Sequence, residues 1–242
     1  MTRFLPLILL FFAAACEPVV IPTGPAPSSR PTVAAPSDTG AINLRAQTAA
    51  RQFVQVVETV EPVAESECRR AAPRANCDFL IVVDDRPGQA PNAFQTVDES
   101  GRPVLAFNLA LIASVRNADE LAFVMGHEAS HHILAHLDRM RDNATVGAVI
   151  FSGIAAISGA SAENVRSAEE LGAALGARSY SKDFELEADR LGTVIAARAG
   201  FDPLRGAAFF ARIPDPGNKF LGTHPPNAAR METVRRTVAA MR

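Results

Sequence analysis

The chain has 242 residues, a formal net charge of -2 and a hydrophobic fraction of 48%. That length suffices for one globular domain with a sizeable core plus tails, and the near-neutral balance gives no basis for binding nucleic acid. Lys182 and Lys219 are the only lysines, so the basic charge is almost all arginine, which reads as a genomic bias rather than a function.

Arg3 and the apolar run Phe4–Phe12 have the form of an export signal, too short to span a bilayer as a stable helix. Ala13-Ala14-Ala15-Cys16 follows, with the look of a lipobox whose Cys16 is lipidated and becomes the mature N-terminus. Ala13 stands where Leu is usual, and Ala13-x-Ala15 also suits ordinary signal peptidase, cutting at the same bond. Residues 1–15 are therefore expected to be a signal peptide. Residues 16–41, rich in Pro, Ser, Thr and Ala, read as a flexible linker from a lipid anchor, and 42–242 as the folded domain. Glu17 is not the Asp that retains lipoproteins at the inner membrane, so the expected place is the periplasmic side of the outer membrane. With Cys16 used, Cys68 and Cys77 remain as an even pair in an oxidising compartment. A disulfide closing that short loop contributes about 2–3 kcal/mol on the chain-entropy model.

A helix is expected from about Ile42 to Glu67, with Phe53, Val54, Val57 and Val60 on one stripe and Pro62 kinking or ending it. Phe79–Val83 reads as a buried strand. Residues 93–97 and 103–107 flank a turn in which Gly101 can take positive φ, a hairpin signal. A short helix spans 109–115. Asn117, with Glu120 three residues on, caps the next helix, whose apolar face is Leu121, Val124, Met125 and Ile133. Residues 145–160 are small, apolar and Gly-rich; they read as a buried or closely packed helix, with a membrane-surface element as the alternative. Helices follow over 171–199, ending at Gly200, over 202–212, and over 226–241. Helix, strands, then helices predict a mostly helical α+β domain with a small sheet.

The capped helix carries His127-Glu128-Ala129-Ser130-His131. Two histidines four apart project from one helix face and can share one Zn²⁺, with Glu128 beside them as general base. A catalytic site needs a third protein ligand. Leu134 and Leu137 exclude the metzincin continuation. Glu185 and Asp189, four apart on a later helix, can supply one carboxylate to the metal and another to a ligand histidine. Glu187 is expected to face solvent. The plain alternative for this helix is an acidic surface paired with Lys182 and Arg190.

These residues resemble the HtpX-like and CAAX-prenyl-protease group of zinc metalloendopeptidases, especially its compact envelope lipoproteins of the LoiP and BepA kind. The resemblance runs from about Asn92 to Arg235. It rests on Asn92-Ala93-Phe94, Asp119-Glu120-Leu121-Ala122 before His127-Glu128-x-x-His131, Tyr180-Ser181-Lys182 before Glu185-x-x-Ala188-Asp189, Gly200-Phe201-Asp202-Pro203, and Thr223-His224-Pro225-Pro226 with Arg230. It implies a zincin (gluzincin)-like fold, Glu185 as third zinc ligand and Asp189 as its helper. It also implies that His224 either packs on a loop or fills the open zinc position and holds the enzyme latent. Tyr180 and Arg230 are candidates to stabilise an oxyanion. His132 and His136, about 100° round the helix, are expected to support or pack rather than ligate. The expected activity is zinc-dependent hydrolysis of extended or unfolded envelope proteins, laid along the sheet edge formed by 93–107. The alternative is a metal-stabilised assembly or chaperone-like lipoprotein that cuts little or nothing.

Overall fold

The computed structural model describes residues 39–178, 181–215 and 225–241, and side chains from Leu44 onward. The chain divides into units Met1–Ser37 and Asp38–Arg242, and every described residue belongs to the second. Cys16, Tyr180 and His224 lie outside the described residues.

Helix α1 (Thr39–Ala71) is longer than its sequence pattern suggests and runs through Pro62. Its buried apolar residues are Phe53, Val56, Val60, Ala64 and Cys68, whereas Val54 is 52% exposed. The stripe thus follows the i, i+3, i+4 spacing through Val56 rather than Val54. A disulfide joins Cys68 to Cys77, with Cα atoms 5.7 Å apart. It ties the end of α1 to the entry of the sheet.

Strands β1 (Leu80–Asp84), β2 (Ala93–Val97) and β3 (Pro103–Asn108) form one sheet in the order β1-β3-β2. β2 and β3 are the antiparallel hairpin, pairing Ala93 with Phe107 and Val97 with Pro103, and Gly101 in its turn has φ 81°. β1 runs parallel to β3 on the other side. It is therefore an edge rather than a buried strand, with Val83 45% exposed. Of the residues 93–107 expected to offer an edge, only β2 does so, because β3 is central.

Helix α2 (Leu109–Ser114) leads to α3 (Ala118–Ile133), whose N-cap Asn117 accepts from Glu120 N as expected. Glu120 itself reaches back to Arg116 N and pairs with Arg212. α3 is the central element. Leu121, Ala122 and Met125 join the core of α1 and the sheet, while Phe123 packs with Phe210 and Val234.

The expected helix over 171–199 is two elements, α5 (Ala162–Arg178) and α6 (Ser181–Arg198). α6 crosses α3 at a glycine pair. A Cβ on Gly192 would lie 2.8 Å from His127 N, and one on Gly126 would lie 2.9 Å from Gly192 O. Only glycine permits this approach, and it sets the carboxylates of α6 against the histidines of α3. Gly200, at φ 87°, ends the segment after α6. α7 (Pro203–Ala207) starts on its N-cap Asp202 as expected and continues as a 3₁₀ turn over Ala208–Ala211. α8 (Asn227–Ala240) packs against α6.

Between α3 and α5 lies α4 (His136–Ile157), which pairs with α5 as a helical hairpin. The apolar composition of 145–160 predicts a buried or closely packed helix. The helix packs closely on one side only: Val146, Val149, Ile150, Ile154 and Ile157 are all more than half exposed.

Candidate active site

His127 and His131 lie one turn apart on α3, and Glu185 faces them from α6. Their Nε2 atoms are 3.1 Å apart. Glu185 Oε2 is 3.6 Å from His127 Nε2, and its Oε1 is 3.4 Å from His131 Nε2. Among the described residues these three form the group whose donor atoms converge for a metal ion. Four tetrahedral ligands at Zn–N and Zn–O distances of about 2.0–2.1 Å would sit about 3.3 Å apart. The donor set and its spacing therefore fit zinc. Glu128 lines the same cavity, about 810 Å³ in volume, as do Ala93, Phe94 and Gln95 of β2.

Each histidine is held through its other nitrogen. His127 Nδ1 lies 2.9 Å from Asp189 Oδ1. Arg230 grips the same carboxylate through Nε at 2.7 Å and Nη2 at 2.6 Å. The Arg230 guanidinium also rests 3.8 Å from the Phe210 ring centre. Asp189 is fully buried. Burial works against its charge, yet the bonds from Arg230 and His127 hold its carboxyl below the usual carboxylate range. Burial also opposes a proton on His127, but the bond to Asp189 outweighs it and raises this imidazole, making it the more basic ligand. Two Arg230 donors are spent on Asp189, so its visible role is to clamp that carboxylate. An oxyanion role would fall to its remaining nitrogen.

The partner of His131 is one the sequence pattern hides. α3 ends at Ile133, and Ala135, at φ 53° and ψ 39°, makes a left-handed turn before α4. His136 is therefore not a later residue on the histidine helix. It opens α4 and points back, its Nδ1 2.9 Å from His131 Nδ1. Its Nε2 lies 3.1 Å from Glu187 Oε2, which Arg139 also engages at 2.6 Å. Glu187, expected to face solvent, thus anchors this chain. The correction follows from the left-handed turn, which brings His136 and Arg139 at the start of α4 within reach of Glu187. His136 stacks on Phe184 with ring centres 4.7 Å apart. His132 turns away to Asn76 O and packs on Phe79.

The directions of these bonds follow from the chemistry. A metal held through Nε2 would leave His131 protonated on Nδ1, which then donates to His136 Nδ1. His136 must then carry its proton on Nε2 and donate to Glu187. Burial, reinforced by the neighbouring His127, pushes His131 down to about 3, which keeps its Nε2 lone pair available. The Arg139 bond holds the Glu187 carboxyl below its ordinary value, so the relay ends on a fixed negative charge. Glu187→Gln should weaken metal binding about tenfold, in line with the loss of such outer partners, without changing the fold. A competition titration against a chelator measures this; an unaltered affinity would remove Glu187 from the relay.

The model of peptidase family M48 matches residues 50–238. The beta-barrel assembly-enhancing protease of Escherichia coli K12 is 28% identical over 155 residues, 55% of this chain and 30% of that one. Its Vibrio cholerae counterpart is 35% identical over 121 residues, 46% of this chain and 24% of that one. The mitochondrial metalloendopeptidase OMA1 of Saccharomyces cerevisiae is 27% identical over 165 residues, 64% of this chain and 45% of that one. The chain spans between about a quarter and a half of the length of these relatives. With the family model matched over most of its length, beside a His-His-Glu cluster whose donor atoms could hold a metal ion, the chain belongs to peptidase family M48.

Proposed function

We propose that the chain is a zinc-dependent endopeptidase of the bacterial envelope that cuts extended or unfolded proteins. The observation that carries this is one cavity holding the His127, His131 and Glu185 donors, the Glu128 carboxylate and residues of β2, an edge strand of the described sheet. In this reading the fold is zincin-like, with His127, His131 and Glu185 holding one Zn²⁺. The ion would supply Lewis acidity, polarising a peptide carbonyl and acidifying water. Glu128 takes the proton of the attacking water and passes it to the leaving amine. Asp189 and the His136–Glu187 pair keep both imidazoles in the ligating tautomer. β2 offers its unpaired backbone groups to an extended substrate, which binds main chain to main chain with little sequence demand.

The envelope assignment is supported by the similarity to beta-barrel assembly-enhancing proteases and by the sequence pattern of an export signal ending at Cys16, the expected lipid attachment. In this reading the domain, residues 42–242, hangs on a tether in the periplasm at the outer membrane and acts in quality control of misassembled proteins. The purified full chain should contain about one zinc per molecule. It should cleave casein, lose that activity to a chelator and regain it with Zn²⁺. Full cleavage by metal-free protein would reject the reading.

A further inference from the structure

The α4–α5 hairpin presents a surface that the catalytic reading leaves without a use. Val146, Val149, Ile150, Gly153, Ile154 and Ile157 recur at i, i+3, i+4, i+7, i+8 and i+11, one face of a helix. The five side chains on it are 51–87% exposed, and the exposure peaks at Ile157 beside the hairpin tip. This face is not the one that meets α5. That contact is made through Gly147, where a Cβ would lie 2.1 Å from Gly172 O, and through Gly172, where one would meet Phe151 Cβ at 2.7 Å. The hairpin is thus clamped tightly on one side and bare on the next. A contiguous exposed stripe of branched aliphatics marks an interaction surface rather than ordinary surface scatter.

Charge and length identify the partner. No charged residue occurs between Asp142 and Glu163, so neither the stripe nor the turn at 158–161 carries a charge into an apolar phase. The stripe covers 146–157, about 17 Å at 1.5 Å per residue, against about 30 Å for a hydrocarbon core. No described helix is long and apolar enough to cross a membrane. The geometry suits a helix lying in one leaflet's interface. α5 carries Glu163, Glu169 and Glu170 against Arg166 near the same end, an excess of acid that disfavours anionic headgroups. Cys16, upstream of residue 39, is the residue expected to carry the lipid that holds the domain near a bilayer.

We propose that the α4 face Val146–Ile157 docks flat on a zwitterionic phospholipid bilayer, a second membrane contact separate from the N-terminal anchor. It would fix how the cleft sits over the membrane surface. The proposal stands whether or not the chain cleaves peptides, and zinc content and casein cleavage report that question separately.

The chain has no tryptophan, which allows a local probe. Ile157→Trp in the full chain, reconstituted in phosphatidylcholine vesicles, should show blue-shifted emission and quenching by brominated lipid. The same probe at Arg69, on α1, should show neither. Adding Ile150→Glu and Ile154→Glu to Ile157→Trp should abolish the quenching while the N-terminal anchor still floats the protein with the vesicles. Adding phosphatidylglycerol should not increase it. An indole in the Ile157→Trp variant that stays water-exposed in vesicles overturns the proposal. So does one already shielded without lipid, whether by another segment of the chain at any concentration or by a second copy as concentration rises.

Discussion

Glu128→Gln is expected to lower kcat by about 10³-fold while leaving metal content and KM nearly unchanged. Glu128 lines the cavity beside the donor cluster but is not one of the three residues whose donor atoms converge. Gln matches its size and keeps a carbonyl oxygen, so the local packing on α3 is retained. What it loses is the ability to accept a proton from water. General-base contributions fall in the range of about 10²–10⁴-fold, and 10³ corresponds to about 4 kcal/mol of barrier. Because the interaction matters only as the proton moves, the loss appears in kcat rather than in substrate binding. Steady-state cleavage of a fluorogenic peptide, with zinc measured on the same sample, checks both halves. Activity within a few-fold of the parent would show that another group takes the proton. A parallel loss of zinc would show instead that Glu128 supports the metal.

Much of this site is legible in the sequence because it is local. The spacing of His127 and His131, the cap at Asn117 and the hairpin turn at Gly101 each depend on a few neighbouring residues, and the structure keeps all three. Glu185 is different. Helical spacing places it on one face with Asp189, but only the family resemblance chooses it as ligand. The reason it reaches the histidines, the glycine crossing of α3 and α6, is a tertiary contact that no spacing encodes. The His136–Glu187 arm is hidden for a sharper reason. Periodicity carries the histidine helix past Ile133, whereas the chain turns at Ala135 in a conformation that non-glycine residues rarely adopt. Without that turn, His136 falls on the wrong helix and Glu187 has no partner but water. The 145–160 segment departs from expectation because apolar composition predicts burial only where a neighbour exists to bury it, and α5 covers one side.

Asp189→Asn should be the most destabilising conservative change in the site, costing about 3–5 kcal/mol and weakening metal binding at least tenfold. Three donors converge on the two carboxylate oxygens: Arg230 Nη2 and His127 Nδ1 on Oδ1, and Arg230 Nε on Oδ2. An amide has one oxygen to offer. With that oxygen at the Oδ1 position, its NH₂ group faces Arg230 Nε, donor against donor, at 2.7 Å. With the amide reversed, His127 must present Nδ1 as an acceptor, and its proton then moves to Nε2, the atom aimed at the metal. Either orientation also leaves the Arg230 charge, only 7% exposed, without its salt-bridge partner at 2.6 Å. Among the described residues the next carboxylate oxygen is Glu185 Oε2 at 3.7 Å, and pairing with it would compete with metal binding. Stability and metal affinity should therefore fall together in Asp189→Asn. In Arg230→Met, which removes the buried cation but keeps Asp189 on His127, metal binding should survive better than stability. Chemical denaturation and chelator competition on the two variants test the ordering. Equal metal affinity in Asp189→Asn and the parent would mean that His127 holds its tautomer without the carboxylate, and the clamp would then serve only the packing of α6 against α8.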